Sequence, residues 1–300
     1  MTDRAHARRA LLFPGLFVLL WSTGFIAAKY GLPYAPPLTF LLYRFAFVAL
    51  LMLVVAIATR ATWPHDARQI AHVAIAAWLV HGAYLGGVFV AIAAGMPAGT
   101  SAMLVGLQPI LTVVIARAWL GERVVARQAA GLVLGLAGVW LVVRHRFGYN
   151  GDLAGLVPCL IALAGISIGT LYQKRYCARV DMRSGAVIQF TACTLLYLPL
   201  VLLFEGAPVQ WTPQFIFAMS WSVLVMSVGA ISLLYWLLRH GAASNVARLF
   251  YLVPPVTALE AWLMFGEQLD ALSLIGMVLI AIGVAVARPP EPRLAPAVSG

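Results

Sequence analysis

Apolar runs of about 20 residues, the length that crosses a bilayer core as a helix, recur ten times in this chain and limit its fold more than any other feature. They lie at 11–30, 37–58, 70–94, 98–120 and 126–143, and then at 153–174, 184–204, 213–238, 242–265 and 271–287. Within lipid every backbone N–H and C=O must find a partner inside the protein, which leaves only helices and closed barrels. Barrel strands are about 10 residues of alternating character, whereas these runs are nearly continuous and twice as long. The expected fold is therefore all-α and integral to the membrane, with ten transmembrane helices. Composition agrees: 10% of residues are charged and mean hydropathy is +0.94, against about 25% charged in soluble domains.

The chain also repeats itself. A shift of 145 positions lays Ala102 on Ala247, Pro109 on Pro254, Thr112 on Thr257, the pair Gly121-Glu122 on Gly266-Glu267, and Gly138-Val139 on Gly283-Val284 without a gap. The same shift lays Ser22 on Ser167, Gly24 on Gly169 and Lys29 on Lys174. Two homologous halves follow, residues 1–147 and 148–300, each with five spans. Because five is odd, the second half enters the membrane from the other side, which predicts two inverted five-helix repeats. Secondary transporters use such repeats and place the substrate between them near the midplane.

With the N-terminus in the cytoplasm, fifteen of the twenty Lys and Arg fall on inner segments and three on outer ones, with Arg44 and Arg248 inside spans. That bias predicts cytoplasmic N- and C-termini. The net charge of +10 is then a consequence of topology. Its basic residues are spread over the inner segments rather than gathered in a stripe, so no nucleic-acid partner is expected. The first span ends in Lys29-Tyr30 instead of a small-residue cleavage site and has a counterpart in the second half, unlike a secretory signal.

Three features together carry a family resemblance: the two five-span repeats, the Pro-x-x-Thr followed by Gly-Glu at Pro109 to Glu122 and again at Pro254 to Glu267, and Trp21-Ser22 with Phe25 in the first span. The chain resembles the EamA branch of the drug/metabolite transporter superfamily over almost its whole length, and within it the bacterial exporters of aromatic amino acids. The resemblance implies export of small metabolites across the inner membrane by alternating access, through a cavity lined by the first, third, fourth, sixth, eighth and ninth spans. One departure stands out: the sixth span has Ile166-Ser167, with no Trp to match Trp21.

Within that frame, Trp21 is expected to line the cavity, or else to face lipid or pack in the core, with Gly24 a hinge or gating position matched by Gly169. His81 and Tyr84 share a face of the third span beside small residues, where a histidine can bind substrate, sense protons or serve as a hydrogen-bonded structural group. Tyr84 offers an aromatic face and a hydroxyl. Pro109 and the tandem Pro254-Pro255 interrupt the fourth and ninth spans at matching points, freeing the carbonyls of Val105, Phe250 and Tyr251; they are expected to be hinges, or passive kinks. Gln108 adjoins the first interruption. Ser244, Arg248 and Tyr251 share a face of the ninth span, with Arg248 placed to attract an anionic group or to snorkel. Arg44 and Glu260 lie at similar depth inside the outer edge and are placed to form a buried structural ion pair; the alternatives are that Arg44 snorkels, or that it serves an outer gate or is a counter-ion for a substrate carboxylate.

The glycines of the fifth and tenth spans suit close packing or a homodimer contact. No aspartate lies in a span core and there is no phosphate loop. Cys159, Cys177 and Cys193 lack metal-ligand spacing, so neither an enzyme, a metal nor a cofactor is expected. The expected partners are the lipid bilayer and a small neutral or aromatic metabolite, an amino acid in the leading reading, carried by a monomer or homodimer. Glu260 is the one candidate carboxylate for proton coupling, so facilitative uniport is favoured over antiport. Efflux of cationic drugs by the same fold is the alternative, followed by a channel-like facilitator or a membrane-embedded enzyme or scaffold.

Overall fold

The computed structural model describes residues 2–120, 126–147, 153–240, 249–268 and 271–286. These are helical or connecting segments, with no strand among them. The helices are α1 (Thr2–Gly31), α2 (Pro37–Ala58), α3 (Ala67–Ala77), α4 (Tyr84–Ala93), α5 (Ala98–Val105), α6 (Gln108–Leu120), α7 (Ala126–Phe147), α8 (Leu153–Tyr176), α9 (Met182–Phe204), α10 (Pro213–Ser220), α11 (Ile231–His240), α12 (Val253–Phe265) and α13 (Ala271–Val286). Six segments are long and apolar enough to cross a membrane, and Ala129–Gly138, Val253–Phe265 and Leu274–Val286 are shorter apolar helices.

Two kinds of interruption depart from ten straight spans. A π-helical stretch, Trp78–Ala83, joins α3 to α4, and a second, Trp221–Ala230, joins α10 to α11. Shifting the first by 145 positions lands it inside the second, so the same irregularity recurs in the two halves. The fourth expected span is split at Gly106-Leu107 into α5 and α6, and the ninth passes through a 3-10 turn, Phe250–Leu252, before α12.

The prolines explain where the new helices begin. Pro109 is the second residue of α6, and Pro254 and Pro255 lie in the first turn of α12. There a missing N–H costs nothing, because the first turn has no intrahelical acceptor for it. The carbonyl of Phe250, expected to be free, accepts the Val253 N–H. The structure therefore shows breaks that precede the prolines instead of continuous helices bent at them.

Loop contacts fix the two ends of the bundle. At the near end, Asp181 caps α9 by accepting from the Arg183 N–H at 2.9 Å, and Ser184 donates to the Thr62 carbonyl at 2.6 Å. The Arg183 side chain, 2.6 Å from Asp181, holds that carboxyl well below the usual carboxylate range. At the far end, Glu205 caps α2 by accepting from the N–H groups of Leu38 and Thr39 at 2.9 and 2.6 Å.

Lateral packing follows the repeat. α2 packs on α9, α7 on α13 and α5 on α12, each a pairing between counterpart spans. α8 packs on α3 and α4, while α1 packs on α10 and its π extension. Outward-facing Leu12, Leu50, Val133, Leu195, Leu202 and Leu203 are exposed at 62–76%, an apolar perimeter of the kind that lipid covers.

Candidate functional site

The π stretch Trp78–Ala83 carries His81 and delivers Tyr84 as the first residue of α4. A π turn adds one residue per turn, so side chains on it leave the regular helical rows and point where an α-helix would not place them. The His81 ring stacks on Phe190 of α9 with centroids 4.7 Å apart, and its Nε2 lies 3.2 Å from Gln189 Oε1. That partner orients the imidazole. Tyr84 is half-buried against the main core.

The second π stretch carries Ser222 and Ser227. The Ser227 hydroxyl donates to the Ser222 carbonyl at 3.1 Å, five residues back along the π stretch. Arg44 of α2 reaches between the two stretches. Its Nη2 lies 3.5 Å from Ser227 Oγ, and it is close enough to both Tyr84 and His81 to interact with them electrostatically. The structure thus gathers His81, Tyr84 and Arg44 with Gln189 and Ser227, drawn from both halves of the chain.

The expected Arg44–Glu260 pair is not formed. α2 lies against α9, while α12, which carries Glu260, lies against α1 and α5. Glu260 Oε2 is buried and has no hydrogen-bond partner. Similar depth in two spans says nothing about which helix lies between them.

Trp21 sits in an aromatic cluster toward the near end. Its ring is 5.2 Å from Phe250 and 5.3 Å from Phe17, and Phe13 meets Trp236 edge-on at 4.5 Å. The break before Pro254 brings Phe250 into this cluster. Gln108 and Pro109 are half-buried at the start of α6. The two breaks meet: a Cβ on Gly106 would lie 2.9 Å from Pro254 Cγ.

Gly24 and Gly169 each face the π stretch of a neighbouring span. A Cβ at Gly24 would lie 2.8 Å from the flexible tip of Met226, and one at Gly169 would lie 3.0 Å from the backbone nitrogen of Val80. Ser244 and Arg248 lie outside the described residues, as does the side chain of Tyr251, whose backbone forms the 3-10 turn.

The far end is held by an ion pair that also joins the halves. Lys29 at the end of α1 contacts Glu267, which follows α12. Glu267 in turn accepts from the Ala98 and Gly99 N–H groups at the start of α5, at 2.9 and 3.4 Å. Sequence reasoning matched Lys29 and Glu267 to their repeat counterparts but did not join them. It also missed Gln189, Ser222 and Ser227, for which the only trace is a five-residue serine spacing foreign to α-helical periodicity.

The model of the EamA-like transporter family matches the chain twice, over residues 9–144 and 153–288. An uncharacterized transporter of Bacillus subtilis (strain 168), YvbV, is 28% identical over 95% of this chain and 92% of its own. A probable terminal-alkyne amino-acid exporter of Streptantibioticus cattleyicolor is 30% identical over 63% of each chain. A probable amino-acid metabolite efflux pump of Escherichia coli (strain K12) is 24% identical over 90% of this chain and 91% of its own. A solved crystal structure at 20% identity shares the fold, with a TM-score of 0.65 over 93% of this chain and 96% of its own.

Proposed function

The chain belongs to the EamA-like transporter family, and from that premise we propose that it exports small neutral and aromatic amino acids by alternating access, as a facilitative uniporter of the bacterial inner membrane. The observation that carries this reading is the meeting of two broken helices, α5–α6 and the 3-10 turn with α12, at Gly106 and Pro254. Helices broken at matching points of two repeats are how secondary transporters build a site at the membrane midplane. The polar and aromatic groups around Arg44, and the aromatic cluster at Trp21, supply what an amino acid with an apolar side chain requires. Two relatives named as amino-acid or amino-acid-metabolite exporters support that substrate class.

In this reading the halves are inverted repeats and the near end, with the N-terminus, faces the cytoplasm. The aromatic cluster of Phe17, Trp21 and Phe250 is the inner barrier, and the Lys29–Glu267 pair belongs to the outer one. Motion about the breaks at Gly106-Leu107 and Phe250–Leu252, and about the glycine contacts at Gly24 and Gly169, opens them in turn.

The test is uptake of radiolabelled phenylalanine into liposomes holding the purified protein, competed by unlabelled phenylalanine, threonine, glutamate and a cationic drug. Saturable uptake competed by the neutral amino acids alone is expected. No uptake above empty liposomes would sink the amino-acid assignment.

A further inference from the structure

Arg44 is an unbalanced buried charge. It stands seven residues into α2, about 10 Å along the helix from Pro37, and retains only 6% of its surface. Its helix neighbours Phe40, Leu41, Phe45 and Val48 are fully buried, so the side chain runs into the bundle and not out to a headgroup region. An ionised side chain within a span costs about 3 kcal/mol even on insertion scales, and one removed from its partner inside a protein costs more. Such groups are paired or serve a ligand.

No protein carboxylate pairs with Arg44 among the described residues. The Nε–H is buried without a partner, and Nη2 has only the 3.5 Å contact to Ser227, at the long limit of a hydrogen bond. Nε–H and the adjacent Nη2 form the side-on fork of a guanidinium, whose two parallel donors match the two oxygens of a carboxylate. Of that fork, Nε–H has no partner among the described residues and Nη2 has only the long contact to Ser227. The Ser222 carbonyl accepts from the same Ser227 hydroxyl, and Tyr84 and His81, from α4 and the other π stretch, lie close enough to interact with Arg44 electrostatically. An apolar substrate body has the stacked His81–Phe190 pair to lie near.

We propose that Arg44 is the receptor for the substrate's carboxylate, so that this transporter selects monocarboxylates, amino acids among them, and rejects the corresponding amines. The assignment rests on the transport reading above and deepens it. It moves Arg44 from a structural pair to the residue that reads substrate class, with Ser227 as the hydroxyl that yields its contact when the carboxylate arrives.

Two measurements separate this inference from the reading beneath it. In proteoliposomes, phenylalanine uptake is competed by 3-phenylpropionate, which keeps the carboxylate, and not by phenethylamine, which lacks it. Arg44→Gln raises the half-saturation concentration for phenylalanine by about 30-fold or more and erases the preference for 3-phenylpropionate over phenethylamine, while Arg44→Lys keeps that preference. Equal competition by the amine in the wild type, or an unchanged preference in Arg44→Gln, overturns the proposal.

The second measurement needs no transport: thermal unfolding of the detergent-purified protein with 3-phenylpropionate, phenethylamine or chloride. Stabilisation by 3-phenylpropionate alone, lost in Arg44→Gln and retained in Arg44→Lys, is expected. Stabilisation by none of them, or equally by chloride, also overturns it. If 3-phenylpropionate stabilises the wild type through Arg44 but phenylalanine is not moved, the carboxylate site stands and amino-acid export falls.

Discussion

At the scale of single residues, Glu267 shows how one side chain can do several structural tasks. Its side chain is only 8% exposed, and it neutralises Lys29 while accepting from two N–H groups at the start of α5, where a helix has unpaired donors and a positive end. Replacing it by Gln keeps an acceptor and removes the charge, so Glu267→Gln should lower stability by about 2 kcal/mol, read as thermal unfolding of the purified protein. Exchanging the charges, with Lys29→Glu and Glu267→Lys together, should fail to restore stability, because a lysine cannot accept from Ala98 and Gly99. Full recovery in the exchanged variant would reduce the contact to a simple ion pair. The sequence made Lys29 and Glu267 conspicuous through their repeat counterparts, yet the residues they touch depend on how α1, α5 and α12 assemble.

At the scale of elements, the π stretches shape the candidate site. Trp78–Ala83 turns His81 toward Gln189 and Phe190, and Trp221–Ala230 turns Ser227 toward Arg44. A π turn is an α-helix with one residue inserted. Deleting Val80 should therefore convert the first stretch to α-helix while preserving the register of α3 and α4 on either side. The variant is expected to insert and fold, shown by an unchanged helical circular dichroism spectrum and a single peak in gel filtration, yet to lose substrate uptake. Deleting Val90 from regular α4 instead rotates everything beyond it by about 100° and should abolish folding. Equal tolerance of both deletions would show that the π geometry is not needed for transport. Hydrophobic periodicity could not reveal these stretches, because their residues are as apolar as an ordinary span and a local change of pitch leaves no compositional trace.

For the whole molecule, α7 and α13 form a pair set apart from the polar groups around Arg44. They close on each other through glycine: a Cβ on Gly283 would lie 2.6 Å from the Gly131 carbonyl oxygen, and one on Gly138 would lie 2.6 Å from the Gly276 carbonyl oxygen. The glycine faces that the sequence left open to a homodimer contact are thus turned toward each other within one chain. Gly283→Leu should force the helices apart and cost about 3 kcal/mol by overpacking, while the half-saturation concentration of the folded fraction stays within about twofold, since distant sites act independently. A large change in affinity would mean that this pair shapes the site directly.

The sequence by itself determined the class of this protein. Lipid allows few ways to satisfy a backbone, so apolar length alone specifies an all-helical membrane fold, and a duplicated chain betrays itself by residue identities at a constant offset. It also marked where two helices break, through prolines at matching points of the two halves, although Pro14, Pro158 and Pro199 stand inside helices that continue past them. What only the tertiary structure decided is which side chains meet. Arg44 and Glu260 share a depth but lie on helices with different neighbours, whereas Arg44 and Ser227, 183 positions apart, face each other. Depth along a span follows from residue number, but azimuth and neighbour depend on packing among helices whose surfaces are all apolar, and on π turns that shift the rows of side chains.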